Sequence, residues 1–342
     1  LLLDSPLRER HGEHLEALGI GGRGRVALGL HIPLKAELGA FRMDGTVDLA
    51  DARLTDPRWD IDFSRATGRI RFSERGFSAE ELSVVMDGQL GSLSLAAGAF
   101  TSDAALAFEA SLRGRFDVDS LLSRQAGLAW LSDWLAGRTD WSIGLRIPEA
   151  PGGGAGVPRL FVASSLEGAT LSAPAPLRKG AEDSLPLAVS LALPLDAGPL
   201  EVDLGQLMRL RGRIMPGGSL DGSLDFGPVA ESVDVGPGLH VRGQVPALDV
   251  AGWVAFAMRA PSDGTANAGA GFQLGSVDIT AGQLDVLDNA FVDARLRVRP
   301  RPGHWQVEVE GAELAGEVRV PLDLEEGIEG RFARVHWPSG RA

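Results

Sequence analysis

Residues 292–310 read VDARLRVRPRPGHWQVEVE, and their side chains alternate between apolar and polar or charged types. The apolar positions of the two runs are Val292, Ala294, Leu296 and Val298, followed by Trp305, Val307 and Val309. Successive side chains of a β-strand point to opposite faces of a sheet, so a period of two indicates a strand with one apolar and one polar face. The stretch therefore predicts two such strands, separated by a break rich in proline and glycine.

The same alternation recurs along most of the chain. The clearest further runs are residues 41–49, 69–72, 106–113, 141–147 and 187–195. Continuous apolar runs, which are typical of buried parallel sheets, are missing, so we predict antiparallel strands. Their apolar faces can be covered by packing two sheets as a sandwich. Alternatively, one long curved sheet can leave its apolar face partly open to a ligand. Alternation alone leaves both arrangements open.

Helix signals are confined to three segments. We predict helices at residues 5–18, 117–136 and 249–258. Ser5 suits the N-cap position of the first helix, and Gly137 suits the position just past the end of the second. Three helices are too few to cover so many amphipathic strands, so a function has to account for the apolar faces.

Composition and charge exclude several classes of protein. The 342 residues contain 33 Lys and Arg against 46 Asp and Glu, a formal net charge of −13 that disfavours binding to nucleic acid. The chain has no cysteine, which excludes zinc fingers, thiol catalysis and disulfide scaffolds. The sequence contains no apolar run of about 18 residues that would predict a transmembrane helix. It also lacks a signal peptide, and we expect a fragment of a longer protein.

Two letter patterns suggest ligand sites but lack the context that such sites need. Gly19, Gly21 and Gly24 match the dinucleotide fingerprint, yet a predicted helix precedes them and a predicted strand follows, the reverse of the required order. His11 and His14 are one helical turn apart, but no cysteine or third histidine lies near them in the sequence. P-loop, GxSxG and HExxH motifs are missing. We expect no enzyme activity, no metal and no cofactor.

Three tryptophans fall in the predicted helices: Trp130, Trp134 and Trp253. They could cover a groove as a lid or plug, or they could pack the helices against the sheet. Aromatic residues of helices more often belong to a core, so we favour packing.

A weak internal repeat suggests how strands and helices are grouped. The segment LRGR at 112–115 precedes the helix predicted from Asp117, and VRGQ at 241–244 precedes the helix predicted from Asp249. New strands follow each helix, which indicates modules of several strands plus one helix. The predicted segments are 1–20 (an N-terminal helix), 21–138 (a β module with a closing helix), 139–260 (a second β module with a short helix) and 261–342 (part of a third β module).

Several segments resemble the repeated units of the AsmA-like/YhdP family. The most specific is VASSLEGATL at 162–171, continued by PAPLRK at 174–179, which is similar to the family pattern SxLxGxxLxxPxPLxK. The other similar segments are GRIRF at 68–72, HWQV at 304–307, LAGEV at 314–318 and FARVHWP at 332–338. The resemblance covers most of the chain.

The resemblance implies an elongated, curved antiparallel sheet of repeated modules with an apolar groove and a few short helices. It implies a function in lipid transport and outer-membrane biogenesis. The groove would conduct phospholipid acyl chains through the periplasm between the inner and outer membranes. The full-length protein would be anchored in the inner membrane, and regions outside this chain would contact inner- and outer-membrane components. The alternative is a structural β-scaffold with a dry core that assists outer-membrane assembly.

Candidate lipid-binding positions follow from the apolar sides of the alternating runs. The predicted groove-lining residues are Ile70, Phe72, Leu93, Leu95, Leu106, Phe108, Leu112, Ile143, Leu145, Val189, Leu191, Leu193, Val292, Leu296 and Val307. No catalytic residue and no metal ligand is predicted among them.

Overall fold

The computed structural model describes residues 19–35, 40–57, 61–123, 129–150, 152, 154–216, 218–228, 236–259, 273–286, 289–322 and 326–337. Within these residues the chain forms nineteen β-strands, two α-helices and two 3-10 helices. The prediction of a mainly β fold with a few short helices is therefore confirmed. The helix predicted at 5–18, with His11 and His14, lies outside the described residues.

The chain divides into two compact units. Unit 1 comprises residues 1–116 and 140–164, and unit 2 comprises residues 117–139 and 165–342. This division differs from the four segments inferred from the repeat, because residues 140–164 belong with the strands that precede the first helix.

The strands of unit 1 are antiparallel. They are β1 (Gly19–His31), β2 (Arg42–Asp56), β3 (Ile61–Ser73), β4 (Gly76–Met86), β5 (Gln89–Gly98), β6 (Leu106–Asp117), most of β7 (Leu135–Pro148) and β8 (Arg159–Ser164). From β1 to β6 each strand pairs with the next one in the sequence, and β7 pairs with β8. Neighbours in sequence become neighbours in the sheet because short connections join antiparallel strands.

Unit 2 continues with the same kind of pairing. Its strands are β9 (Ala169–Leu171), β10 (Leu187–Ala192), β11 (Pro199–Leu204), β12 (Met208–Ile214), β13 (Leu220–Phe226), β14 (Leu239–Asp249), β15 (Leu274–Val286), β16 (Asn289–Arg301), β17 (His304–Glu310), β18 (Leu314–Pro321) and β19 (Glu329–Val335). From β10 to β19 each pairs with the next. The pairings are antiparallel except for β13–β14 and β14–β15, which are parallel. The antiparallel prediction is confirmed apart from these two, which need long crossover connections.

Both α-helices continue directly from a strand that ends in aspartate. Helix α1 (Val118–Leu122) follows Asp117, whose carboxylate accepts a 3.0 Å hydrogen bond from the Asp119 amide. Helix α2 (Val250–Arg259) follows Asp249, whose carboxylate accepts a 2.8 Å hydrogen bond from the Gly252 amide. An aspartate at this position satisfies amide groups that the first helical turn leaves without partners. The helix predicted at 249–258 is therefore confirmed.

The single helix predicted over 117–136 is wrong. The described part of that segment holds α1, then a 3-10 helix at Ala129–Asp133, and Leu135 already begins β7. Residues 135–137 pair with β9, so backbone pairing with a distant strand replaces the helical continuation that local spacing favours.

A line of β-bulges crosses the first four strands. Gly22 in β1, Asp51 in β2, Arg65 in β3 and Glu81 in β4 all have positive φ angles, of 104°, 58°, 52° and 53°. The strand register shifts at each of them. A bulge inserts an unpaired residue and bends its strand, so the alternation of apolar and polar residues changes phase across this line.

Candidate functional site

An uninterrupted row of aliphatic side chains crosses the apolar face of unit 2. Its members are direct partners across successive strands from β10 to β18. They are Val189, Val202, Leu210, Leu224, Val241, Val277, Val298, Val307 and Val318. Every one of these side chains is half-buried. We call this set the half-buried row; it contains no polar or charged residue.

A second row runs beside the first, two residues along each strand. Its buried members are Leu204, Phe226, Ile279, Leu296 and Val309. All of these except Leu204 pack in one cluster with residues from the ends of β14 and β15, such as Leu248 and Leu284. We call this set the buried row. The apolar face of unit 2 is therefore closed along one row and partly accessible along the next.

The closed part of this face is covered by α2 and by residues 174–177. Val250, Trp253 and Leu177 pack against the buried cluster. The Trp253 indole N–H donates a 2.8 Å hydrogen bond to the Ala175 carbonyl. The Phe256 ring lies 5.2 Å from the Trp253 ring and 5.0 Å from the Trp134 ring, centroid to centroid. Packing is thus the observed role of Trp253; the side chain of Trp130 lies outside the described residues.

The segment with the most specific family resemblance forms this cover. Leu171 and Lys179 exchange two backbone hydrogen bonds, of 3.0 and 2.9 Å, which close the loop between them. The Lys179 side chain is buried, and its Nζ donates to the carbonyls of Ala169 and Gly180 at 2.6 and 2.7 Å. Desolvation lowers the pKa of Lys179, while nearby acidic groups oppose that shift. The lysine therefore ties the loop together from inside.

Unit 1 carries a similar graded apolar face. One row of cross-strand partners from β1 to β6 consists of Val26, Val47, Ile70, Ala79, Leu95 and Ala110. Of these, Val26 is exposed, Ala79 is buried and the others are half-buried. A neighbouring row, Leu82, Leu93 and Leu112, is fully buried.

The structure places most predicted groove residues on these faces. In unit 2, Val189 and Val307 belong to the half-buried row and Leu296 to the buried row. In unit 1, Ile70 and Leu95 belong to the row that runs from Val26 to Ala110, and Leu93 and Leu112 belong to the buried row beside it. The remaining half-buried positions are Leu106, Phe108, Ile143, Leu145, Leu191 and Leu193, while Phe72 is buried. Leu193 follows the end of β10 instead of lying within the strand.

Val292 does not belong to the apolar face. It is 51% exposed and opposes Gln283, whereas its neighbour Phe291 is buried opposite Leu284. The reason is Asp293, whose φ of 49° marks a break in the strand that shifts the alternation by one residue.

Sequence reasoning missed the middle of the half-buried row. Val202, Leu210, Leu224, Val241 and Val277 were not among the predicted groove residues, although each belongs to a short alternating run. Residues 200–204 and 208–214 show the signal most clearly, since aliphatic residues occupy every second position apart from Gly212.

The opposite face of the sheets is polar and paired by charge. In unit 1, Arg69 donates to Asp48 at 2.6 Å, and this hydrogen bond lowers the pKa of Asp48. In unit 2, Arg295 donates two 2.7 Å hydrogen bonds to Asp278, whose pKa is lowered chiefly by them. Charges are therefore kept off the apolar face and neutralised behind it.

Nothing on the apolar rows resembles a centre for bond-making chemistry. Among the described residues, no three His, Asp or Glu side chains come together in a way that could hold a metal ion. No helix in the described part of the chain combines the length and the apolar character needed to span a membrane. What the rows can do is shield hydrocarbon from water.

Comparison with known proteins yields one family. The family model described as YhdP protein matches residues 1–342. No match is found among curated proteins or among solved structures.

Proposed function

The chain belongs to the YhdP family, and we propose that it is a segment of a periplasmic bridge that conducts phospholipid between the inner and outer membranes. In this proposal the acyl chains lie on the half-buried row of unit 2 and on the row from Val26 to Ala110 in unit 1, and the headgroup stays in water. The chain acts without enzymatic chemistry, and regions outside it contact inner- and outer-membrane components.

The half-buried row of unit 2 is the observation that supports this proposal. A sandwich would bury both rows of the apolar face, because side chains of the two inner sheet surfaces interdigitate. Here one row is buried and its neighbour, Val189 to Val318, is only half-buried along its whole length. A partly accessible apolar strip without a charge is the kind of surface that an apolar ligand would cover.

The dimensions of the row favour sliding over release. Adjacent strands are about 4.8 Å apart, so eight steps between nine strands cover about 38 Å. The acyl chains of one leaflet fill about half of the ~30 Å hydrocarbon thickness, roughly 15 Å. Releasing a chain into water would cost on the order of 10 kcal/mol, at about 0.8 kcal/mol per CH₂. A row longer than the chain lets a lipid move while it keeps its burial.

The rival function is a structural scaffold with a dry core that assists outer-membrane assembly. The buried row and its cover of α2 and residues 174–177 favour this function, since that part of unit 2 is closed. The two functions differ in whether the half-buried row has to be accessible. Lipid transport requires an accessible row, whereas a scaffold does not.

The proposal is tested by photo-crosslinking on the 342-residue chain. A photoreactive residue replaces Val241 in the half-buried row or, as a matched control, Glu201 on the polar face. Each protein is incubated with vesicles of a radiolabelled diacyl phospholipid, illuminated and analysed on a gel. We expect label at position 241 and little at position 201. Equal labelling at both positions, or labelling at neither, would refute lipid binding on this face.

A further inference from the structure

A ladder of charged residues crosses the polar face of unit 2 at a single register. Its members are direct partners across successive strands from β11 to β19. In order they are Asp203, Arg209, Asp225, Arg242, Asp278, Arg297, Glu308, Glu317 and Arg331. The sign alternates at every step except that from Glu308 to Glu317. We call this set the charge ladder.

The charge ladder lies directly behind the half-buried row. Each ladder residue from Asp203 to Glu317 is the sequence neighbour of a member of the half-buried row; Asp225, for example, follows Leu224. Sequence neighbours in a strand point to opposite faces. The strand register that aligns the charges is therefore the same register that aligns the aliphatic row.

The aliphatic row by itself specifies this register poorly. If β14 slipped by two residues against β13, Leu224 would face Leu239 in place of Val241, one aliphatic residue for another. The apolar face would stay apolar, since a slip of two residues keeps every side chain on its own face. On the polar face the same slip would remove Arg242 from Asp225, so the charged pair discriminates against a slip that the aliphatic row tolerates.

The two parallel pairings are where such discrimination is needed most. In a hairpin, a short turn fixes the register of the two strands. Strands β13 and β14 are joined by residues 227–238, and β14 and β15 by residues 250–273, so neither pair has a short turn. Register at these two junctions has to come from contacts between the strands.

The β13–β14 junction holds the most deeply buried ion pair of the ladder. Arg242 Nε donates to Asp225 Oδ1, and the Ser223 hydroxyl donates to Asp225 Oδ2 at 3.0 Å. Asp225 is only 5% exposed, whereas the other described ion pairs of unit 2 are more open to water. A buried carboxylate that loses its partner carries a large desolvation cost, so this junction strongly favours one register.

The β14–β15 junction carries a different polar pair. His240 Nδ1 and Ser276 Oγ are 2.8 Å apart, and His240 Nε2 is 3.0 Å from the Gly236 carbonyl. A carbonyl oxygen only accepts, so His240 Nε2 donates to Gly236, while Nδ1 pairs with the Ser276 hydroxyl. The His240 ring covers Gly275, where a Cβ would lie 2.6 Å from the ring. The packing of the His240 ring over Gly275 therefore also depends on the register of β14 against β15.

We propose that Asp225–Arg242 and His240–Ser276 are positioning pairs that set the register of the two parallel junctions and so keep the half-buried row continuous. The consequence for lipid passage rests on the function proposed above. The register itself does not, and it can be measured without lipid.

Engineered cysteine pairs report the register, because the chain has no cysteine of its own. Leu224→Cys with Val241→Cys is the native pair, and Leu224→Cys with Leu239→Cys is the slipped pair. Disulfides need Cα atoms within about 7 Å. Direct partners are about 4.8 Å apart, whereas residues offset by two are about 8 Å apart. The native pair should oxidise and the slipped pair should not.

The register is then challenged by Asp225→Asn with Arg242→Gln. We expect oxidation of the slipped pair to rise several-fold and that of the native pair to fall. The matched control is Asp203→Asn with Arg209→Gln at β11–β12, where residues 205–207 form a short turn. There the register, read with Val202→Cys/Leu210→Cys as the native pair and Val202→Cys/Met208→Cys as the slipped pair, should not change. A second challenge, His240→Ala with Ser276→Ala, removes no charge. It is read with Val241→Cys/Val277→Cys as the native pair and Val241→Cys/Ile279→Cys as the slipped pair at β14–β15.

Retention of the native disulfide alone in both challenged backgrounds would overturn the proposal. Register would then come from other contacts, such as the 2.8 Å hydrogen bond from the Gly238 amide to Asp221 at the start of β14. Slipping in the β11–β12 control to the same extent would overturn it equally, because the parallel junctions would not be special. If Asp225→Asn/Arg242→Gln prevents folding, the His240→Ala/Ser276→Ala background decides. Crosslinking of phospholipid at Val307, beyond the slipped junctions, then tests the functional consequence separately.

Discussion

The indole N–H of Trp253 donates a 2.8 Å hydrogen bond to the carbonyl oxygen of Ala175, 78 residues earlier in the chain. This bond joins helix α2 to the loop closed by Leu171 and Lys179, and both pack on the buried cluster of unit 2. Trp253→Phe should lower the free energy of unfolding by about 1 kcal/mol or more, because the Ala175 carbonyl loses its donor and the smaller ring fills less of the space against the buried cluster. The change is measured by urea denaturation.

The control for this prediction is Val254→Ala on the same helix. Val254 is exposed, so its truncation should change the free energy of unfolding by at most a few tenths of a kcal/mol. Equal effects of the two substitutions would mean that the bond to Ala175 contributes nothing measurable.

Gly45 provides space for an aromatic ring on the neighbouring strand. A Cβ at this position would lie 2.5 Å from Phe72 Cζ and 2.5 Å from the Ala27 carbonyl oxygen. Neither the backbone of β1 nor the buried Phe72 can move freely, so Gly45→Ala should destabilise the chain by about 1–3 kcal/mol. Thermal or urea unfolding measures the loss.

Gly21 is the matched glycine on the adjacent strand. A Cβ there would meet no atom within 4 Å, so Gly21→Ala should leave stability almost unchanged. If both alanine variants unfold alike, the ring of Phe72 is not packed over Gly45 in solution.

Acid should weaken unit 2 through Asp278. Hydrogen bonds from Arg295 hold the pKa of Asp278 below its usual value, helped by the charges of Arg297 and Arg299. A carboxyl group with a lowered pKa contributes stability above its unfolded pKa of about 4 and loses it as the pH falls through the lower folded value. Asp278→Asn should therefore cost stability at pH 7 and less at pH 3. The measurement is urea unfolding at both pH values, and an equal cost at both would contradict it.

The charge ladder has one step between like charges, Glu308 to Glu317, and the chain can be altered to remove it. Glu317→Arg with Arg331→Glu makes the signs alternate at every step. Opposite charges on directly paired residues stabilise a sheet and like charges destabilise it, by a few tenths of a kcal/mol at exposed positions. The double variant should therefore unfold at a slightly higher urea concentration than the native chain, and Glu317→Arg alone should not. The gain should shrink in 1 M salt.

The strands could be predicted from the sequence because their alternation is a local property. The run at 292–310 forms β16 and β17, and the run at 106–113 lies in β6, as predicted. The polar faces of these strands carry the expected charges. The two parallel pairings could not be predicted, since nothing local distinguishes β14 from a hairpin strand; only the long connections at 227–238 and 250–273 hint at them.

The site was predicted in part for the same reason. Ile70, Val189 and Val307 lie on half-buried rows because period-two spacing places them there. Val292 does not, because Asp293 adopts a positive φ that spacing cannot reveal. The distinction between the half-buried and the buried row depends on how α2 and residues 174–177 pack on the buried cluster, which alternation within a strand does not reveal.

Val307 and Val309 offer the sharpest test of an accessible apolar strip. They are the same residue type on the same strand and the same face, but Val307 is half-buried and Val309 is only 7% exposed. A carboxylate in a dry core has to be desolvated or protonated, at a cost of several kcal/mol, against a typical total stability of about 5–15 kcal/mol. Val309→Asp should therefore unfold the chain or nearly so.

Val307→Asp should behave differently if its row is open to water and lipid. The carboxylate can keep part of its hydration, so the fold should survive with a smaller loss of stability, comparable to that of a surface substitution of an apolar residue. An acyl chain on the row would nevertheless have to pass a charge, so photo-crosslinking of phospholipid at Val241 or Val277 should fall. Val307→Thr, which keeps the shape without the charge, should leave crosslinking close to the native level.

Equal unfolding by Val307→Asp and Val309→Asp would mean that both rows are dry, and the scaffold function would then be favoured. A folded Val307→Asp protein with native crosslinking would instead show that lipid does not use this row.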